Sequence, residues 1–270
     1  MPNFNNLQYA SEPGSPTSPS EDWAQATADL IVVLDGATAR TETGCSHGIS
    51  WYAEHLGKSL LLAAADTTLS LVGVAKSAIS RVACLHPECD LTHPGTPSAG
   101  IAMLRPDGRY FVLGDVAIVA ESTDGIAVIV DERVSQTGVA ERAEVDHYLI
   151  GTPEKAAALL PMKRAELAAR NIPGGYWIAA ADPAAADHAL VGHLGLDDGA
   201  PVAVLTDGAA RAEVFGLLDW AGLLDLAVAA GPLELIQRVR AAENSDPLGA
   251  KWPRNKASDD ATMVTASVAS

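Results

Sequence analysis

Asp29-Leu30-Ile31-Val32-Val33-Leu34-Asp35-Gly36-Ala37-Thr38 is the stretch whose reading decides the fold. Five consecutive apolar residues rich in β-branched types predict a buried strand, and the run stops at an acid followed by glycine. A carboxylate is thereby fixed at a strand end, where it must be solvated, paired or bound to a cation. Gly36 lets the backbone turn tightly, so that its own carbonyl can approach the same cation. Two later stretches repeat the design. Val202-Ala203-Val204-Leu205-Thr206-Asp207-Gly208 is another apolar strand ending in Asp-Gly, and Ser258-Asp259-Asp260 opens the strand Ala261-Thr262-Met263-Val264-Thr265. Asp-Gly after a strand is most often a plain turn; three such strand-end acids together point to one metal site.

The chain has 270 residues, 48% of them hydrophobic, enough for a large core, and no stretch reads as a linker long enough to divide it. A single domain over 1–270 is expected, with a polar amino-terminal segment over 1–18. Eighteen Lys+Arg against thirty-four Asp+Glu give a formal charge of -16, which repels nucleic acid and anionic membranes. The first twenty residues are rich in Pro and Ser and lack the basic start and apolar centre of a secretion signal. No apolar run approaches the roughly eighteen residues of a membrane span. The expectation is a soluble cytoplasmic protein with no nucleic-acid or membrane partner.

Three cysteines make no disulfide framework. Cys84-Leu85-His86-Pro87-Glu88-Cys89, with His93 after it, offers four zinc-type ligands in one loop, but the spacing fits no zinc motif and a reduced loop is expected. His47 and His55 read as packing or surface residues.

Glu21 to Ala26 predicts a short strand forming a hairpin with the Ile31 strand, which would lay Glu21 and Asp22 beside Asp35. Apolar spacing predicts one helix between Cys45 and Ala65 and a second, capped by Asp66-Thr67-Thr68, to about Cys84. Residues 99–104, 109–113, 116–120 and 126–130 read as an antiparallel meander. Gly114-Asp115 interrupts its apolar run, marking either a bulge or a site. A more polar excursion follows, with a helix over Lys155–Ala169 capped near Thr152 and Glu154. Then come a strand at Gly175–Ala179, a short helix at Ala184–Leu190, the Val202 strand, helices at Ala209–Phe215, Leu217–Val228 and Leu233–Ala242, and the closing strand. Strands and helices do not alternate strictly, which argues against a doubly wound parallel sheet and for an α+β fold of two antiparallel sheets flanked by helices.

In this order the motifs resemble the metal-dependent protein phosphatases of the 2C type in a bacterial form. Ser20-Glu21-Asp22 resembles the family's Asn-Glu-Asp, and Val33-Leu34-Asp35-Gly36 its first Asp-Gly. Leu113-Gly114-Asp115 resembles its central Gly-Asp, Thr206-Asp207-Gly208 its Ser-Asp-Gly, and Ser258-Asp259-Asp260-Ala261-Thr262 its closing acidic element. The resemblance implies a central β-sandwich with helices on both outer faces, forming four layers, and two Mn²⁺ or Mg²⁺ ions. Asp35 would bridge the ions, Gly36 and Glu21 would complete one, Asp207 and Asp259 would hold the other, and Asp22 and Asp115 would orient metal-bound waters. Hydrolysis of a phosphoserine, phosphothreonine or small phosphomonoester by a metal-activated hydroxide would follow, with Asp35, Asp207 and Asp259 carrying catalysis. The sequence departs from the family at the amino-terminal arginine that grips phosphate, for which Arg40 is the substitute candidate, and over the divergent flap-like segment 131–189. The missing arginine motivates the alternative of a catalytically inactive regulatory module with the same fold.

Overall fold

The computed structural model describes residues 2–269. Strand β1 (Asn3–Glu12) is followed by β2 (Trp23–Ala26) and β3 (Ile31–Gly36), helices α1 (Ile49–Ala64) and α2 (Leu71–Ala83), and strands β4 (Ala99–Leu104), β5 (Arg109–Leu113), β6 (Ala117–Ser122) and β7 (Gly125–Ile129). Helices α3 (Val139–Asp146) and α4 (Pro153–Ala169), a 3-10 turn (Pro183–His188) and strands β8 (Leu190–His193) and β9 (Pro201–Leu205) come next. Helices α5 (Asp207–Val214), α6 (Trp220–Ala230) and α7 (Pro232–Ser245) and strand β10 (Ala261–Ala269) complete the chain. The strands form two antiparallel sheets, in the orders β1-β10-β9-β6-β7 and β2-β3-β4-β5-β8.

The unbroken apolar run of β3 has a direct cause. Side chains alternate across a strand, and here both faces are covered. Val32 and Leu34 pack under Tyr52, Leu56 and Leu60 of α1 and Val74 and Ile79 of α2. Ile31 and Val33 face the other sheet, against Ile118, Val202, Val204 and Val264. On the far side, Val119, Leu205 and Met263 pack under Leu223, Leu224, Leu235 and Val239 of α6 and α7. The result is the expected four layers, helices outside and sheets inside.

Several local expectations change. The four strands from Ala99 to Ile129 are not one meander: β4 and β5 belong to one sheet, β6 and β7 to the other. The chain crosses between sheets at Gly114-Asp115, where Gly114 adopts φ 86°, so the interruption of the apolar run is the crossover itself. Gly175–Ala179 is not a strand; it makes single bridges, Arg170 with Tyr176 and Ala99 with Ala179. The cap of α2 is Ser70, whose Oγ accepts the Gly73 N–H at 3.1 Å, not Asp66-Thr67-Thr68. The polar lead contains β1, paired along β10 with a register shift between Asn5 and Gln8. The strand carries no apolar alternation, because only Phe4 and Ala10, near its two ends, are buried and the residues between them are exposed. Strand β8 is likewise an edge strand with all four residues exposed.

Asp260, just before β10, ties the amino-terminal segment down. Its carboxylate accepts the Gly14 N–H at 2.7 Å and the Glu21 N–H at 2.6 Å, and a Cβ on Gly14 would lie 2.6 Å from the Asp259 carbonyl carbon. Removing the acceptor leaves two partly buried N–H groups without it. Asp260→Ala should therefore lower unfolding stability by about 1–3 kcal/mol, measured by urea denaturation of the metal-free protein; an unchanged midpoint would refute this anchoring.

Candidate metal centre

Alternation along β3 puts Asp35 on the same side as Ile31 and Val33, so its carboxylate emerges at the mouth between the sheets. The other acids arrive from separate segments: Asp22 just before β2, Asp115 at the crossover, Asp207 opening α5, and Asp259 before β10. The Asp207 N–H donates to Asp35 Oδ2 at 3.2 Å, and the Thr206 hydroxyl donates to Asp22 Oδ2 at 2.8 Å. The expected acids are brought to one place.

Two glycines permit this closeness. A Cβ on Gly36 would lie 2.4 Å from the Glu21 carbonyl oxygen and 2.6 Å from Ile49 Cγ2. On Gly208 it would lie 1.9 Å from the Asp260 carbonyl oxygen. Neither position tolerates a side chain without moving backbone, so the Asp-Gly pairs are packing requirements as well as turns.

Crowding like charges in a low-dielectric site holds protons on. Burial, then Asp207, Asp22, Asp115 and Asp259, push Asp35 well above the usual carboxylate range. Asp22 is raised likewise, chiefly by burial and against the hydrogen bonds from Thr206 and Thr262. Asp207 stands at the open mouth, its surface reachable by solvent yet ringed by protein; that crowding, with Asp259 and Asp115, brings it to about 7. Glu21 is raised by burial, and its Oε2 accepts the Thr38 hydroxyl at 2.5 Å.

Two cations that the strand-end motifs did not single out sit among these acids. Arg211 Nη2 donates to Asp259 Oδ2 at 2.9 Å and Nη1 to Glu243. Lys256 Nζ pairs with Asp259 Oδ1 and donates to Thr38 Oγ1 at 3.0 Å. Both were legible in part: Arg211 follows Asp207 by four residues, one helical turn on the same face, and Lys256 precedes Asp259 by three. From the 131–189 segment, Glu166 of α4 and Arg142 of α3 reach Asp115 electrostatically and bond each other at 2.6 Å.

The donor set fits hard divalent cations. Carboxylates from five segments crowded at one mouth are the oxygen ligands Mg²⁺ and Mn²⁺ prefer, and positive charge is what the cluster lacks on the Asp35 side. Arg40 lines a cavity of about 720 Å³ with Glu42, His93, Leu160, Arg164 and Leu167.

No family model matches the sequence, and no curated protein does either. Solved structures match over the whole length. The chain is similar to the PPM Ser-Thr phosphatase MsPP of Mycobacterium smegmatis, at 16% identity and a TM-score of 0.59 over 97% of this chain and 98% of that one. It is similar to the Mycobacterium tuberculosis serine/threonine phosphatase PstP/Ppp, at 13% identity and a TM-score of 0.59 over 99% and 100%. The catalytic domain of PstP, solved with two manganese ions, matches at 14% identity and a TM-score of 0.56 over the full length of both chains. The fold is that of the PPM, or 2C-type, phosphatases, and within it Asp35 lies beside Asp22, Asp115, Asp207 and Asp259.

The raised acids set a pH dependence for the metal-free protein. A carboxyl whose folded pKa exceeds its unfolded value stabilises the fold below the unfolded value, near 3.8, and loses that contribution as pH rises through the folded pKa, about 7 for Asp207. Asp246, lowered to about 2 by burial-resisting hydrogen bonds from three backbone N–H groups and Arg254, works the other way and only below its unfolded value. In the presence of chelator the melting temperature should therefore fall between pH 5 and pH 8, and the fall should flatten in Asp35→Asn. A melting temperature that rises across this interval would contradict the assignment.

Proposed function

We propose that this protein is a divalent-metal-dependent phosphatase acting on phosphoserine or phosphothreonine in a protein, or on a small phosphomonoester. The observation that carries the reading is the convergence of Asp22, Asp35, Asp115, Asp207 and Asp259 from five segments onto one mouth of a PPM-type sandwich. Asp35, Gly36 and Glu21 would hold one Mn²⁺ or Mg²⁺ ion and Asp35, Asp207 and Asp259 a second, with Asp22 and Asp115 orienting water. When bound, such a pair supplies a nucleophile from water at neutral pH and offsets charge on the phosphoryl oxygens.

The chain's own residues do the positioning. Thr206 keeps Asp22 turned into the site, and the Asp207 N–H fixes one oxygen of Asp35. Arg211, itself held by Glu243, orients Asp259. The 37–42 segment leaves the site directly after Gly36 and forms one wall of the Arg40 cavity; α4 supplies the other wall with Leu160, Arg164 and Leu167. Arg40, Arg164 and the apolar side chains between them suit a phosphorylated peptide laid across that cavity, and the 131–189 segment serves as the flap.

A second reading, a regulatory module of this fold without turnover, draws support from Asp259, whose two oxygens are already engaged by Arg211 and Lys256. Hydrolysis of p-nitrophenyl phosphate separates the two. Activity should require Mn²⁺, vanish with chelator and fall by about 10²-fold or more in Asp35→Asn. Stoichiometric metal binding without turnover would select the second reading.

Lys256 opposes a cation at Asp259. Burial disfavours its ammonium, but Asp259, Asp207 and Asp35 outweigh that and raise its pKa. Deleting this charge should tighten metal binding: Lys256→Ala is expected to lower the Mn²⁺ concentration for half-saturation about three- to tenfold by calorimetry. Weaker binding in the variant would show that the lysine supports the site instead.

A further inference from the structure

The tightest set of metal-type ligands lies outside the acidic mouth. Among the described residues, Cys45, His47, His86 and Cys89 bring one ligand atom each to within 4.8 Å of all the others. Cys45 Sγ lies 3.5 Å from His47 Nδ1, 3.4 Å from His86 Nδ1 and 3.5 Å from Cys89 Sγ, and Cys89 Sγ lies 3.5 Å from His47 Nδ1.

These are four of the six edges of a small tetrahedron. With Zn–S near 2.3 Å and Zn–N near 2.0–2.1 Å, tetrahedral angles give ligand separations of about 3.3–3.8 Å. Hydrogen bonding would hold the set only through weak, shared protons. Cys45 sulfur meets three partners with one S–H, and His47 Nδ1 meets two sulfurs with either one N–H or one lone pair. A single central cation satisfies all four at once. Nor is the pair of sulfurs a disulfide, since their separation far exceeds the roughly 2.05 Å bond. The surroundings hold the ligands in place. His86 is only 4% exposed, Trp51 stacks on His47 at 4.2 Å and meets His86 edge-on at 4.7 Å, and the His47 N–H donates to Cys45 Sγ at 3.4 Å.

We propose that Cys45, His47, His86 and Cys89 bind a structural Zn²⁺ ion. Two thiolates and two imidazoles in a closed tetrahedron select zinc over the hard cations suited to the carboxylate mouth. The spacing explains why the loop by itself carried no motif: His86-x-x-Cys89 supplies half the site and Cys45-x-His47 the other half. Cys84 is exposed outside the cluster, and His93 lines the Arg40 cavity.

The ion joins the two loops that frame the candidate active site. One runs from Gly36 through Thr38 and Arg40 to α1; the other follows α2. They already touch, with the Asp90 N–H donating to the Gly44 carbonyl at 2.9 Å and no room for a Cβ on Gly95 against Glu42. Zinc would brace one wall of the cavity without entering the reaction.

The test is metal content of the full chain, purified under reducing conditions, desalted and measured by mass spectrometry of the elements. About one zinc per chain is expected, retained in Cys84→Ser and reduced at least tenfold in Cys45→Ser and Cys89→Ser. Should those variants fail to fold, the unmodified protein decides the matter. Stripped of metal and titrated with Co²⁺, it should develop the thiolate-to-cobalt charge-transfer band of a tetrahedral sulfur site. No zinc together with no such band, or a Cys45–Cys89 disulfide in the reduced preparation's peptide map, would overturn the proposal.

Discussion

Burial and mutual repulsion of carboxylates are the constraint on which the acidic mouth of this structure depends. Asp35, Asp22, Asp115 and Asp207 each sit in a place where burial and the neighbouring acids disfavour ionisation. Such an arrangement works against folding unless positive charge offsets it. The fold holds the acids there by means unrelated to charge, through two sheets whose interleaved apolar faces set where each strand ends.

The offset inside the chain is uneven. Arg211 and Lys256 both address Asp259, so that acid is neutralised from within, and Glu243 is satisfied by Arg211 and Arg240. Asp35 receives the Asp207 N–H and Asp22 the hydroxyls of Thr206 and Thr262, all of them neutral donors. The asymmetry separates one side of the mouth, poor in cations, from the other, where a lysine competes for the same oxygens. A dication at Asp259 would have to displace the lysine, so the two would be linked.

Sulfur and imidazole are kept apart from oxygen. The Cys45, His47, His86, Cys89 tetrahedron and the carboxylate mouth lie at opposite ends of the short 37–48 segment, and their donor chemistry separates borderline-soft from hard cations. An ion at the first site would brace the frame and leave the second free, so rigidity of the cavity wall would not have to come from the sparse apolar content of a loop.

The strands, their strong periodicity and the strand-end acids were legible from the residues alone, because burial on both faces leaves uninterrupted apolar runs such as Ile31–Leu34 and Val202–Leu205. From these came the expectation of two antiparallel sheets flanked by helices and the choice of Asp35, Asp207 and Asp259 as candidates. Edge strands β1 and β8 left no such mark, since solvent on their sides removes the selection for alternation. The partition of β5 and β6 between sheets was also hidden: a crossover and a bulge both read as Gly114-Asp115. Spacing hinted at Arg211 and Lys256, but tertiary structure decided that both address Asp259, and it alone decided that Cys45 and His47 meet His86 and Cys89. Those pairings span some forty residues, and only the packing of α1 on α2 sets them, whereas local sequence specifies the chemistry of each ligand but not its distance from the others.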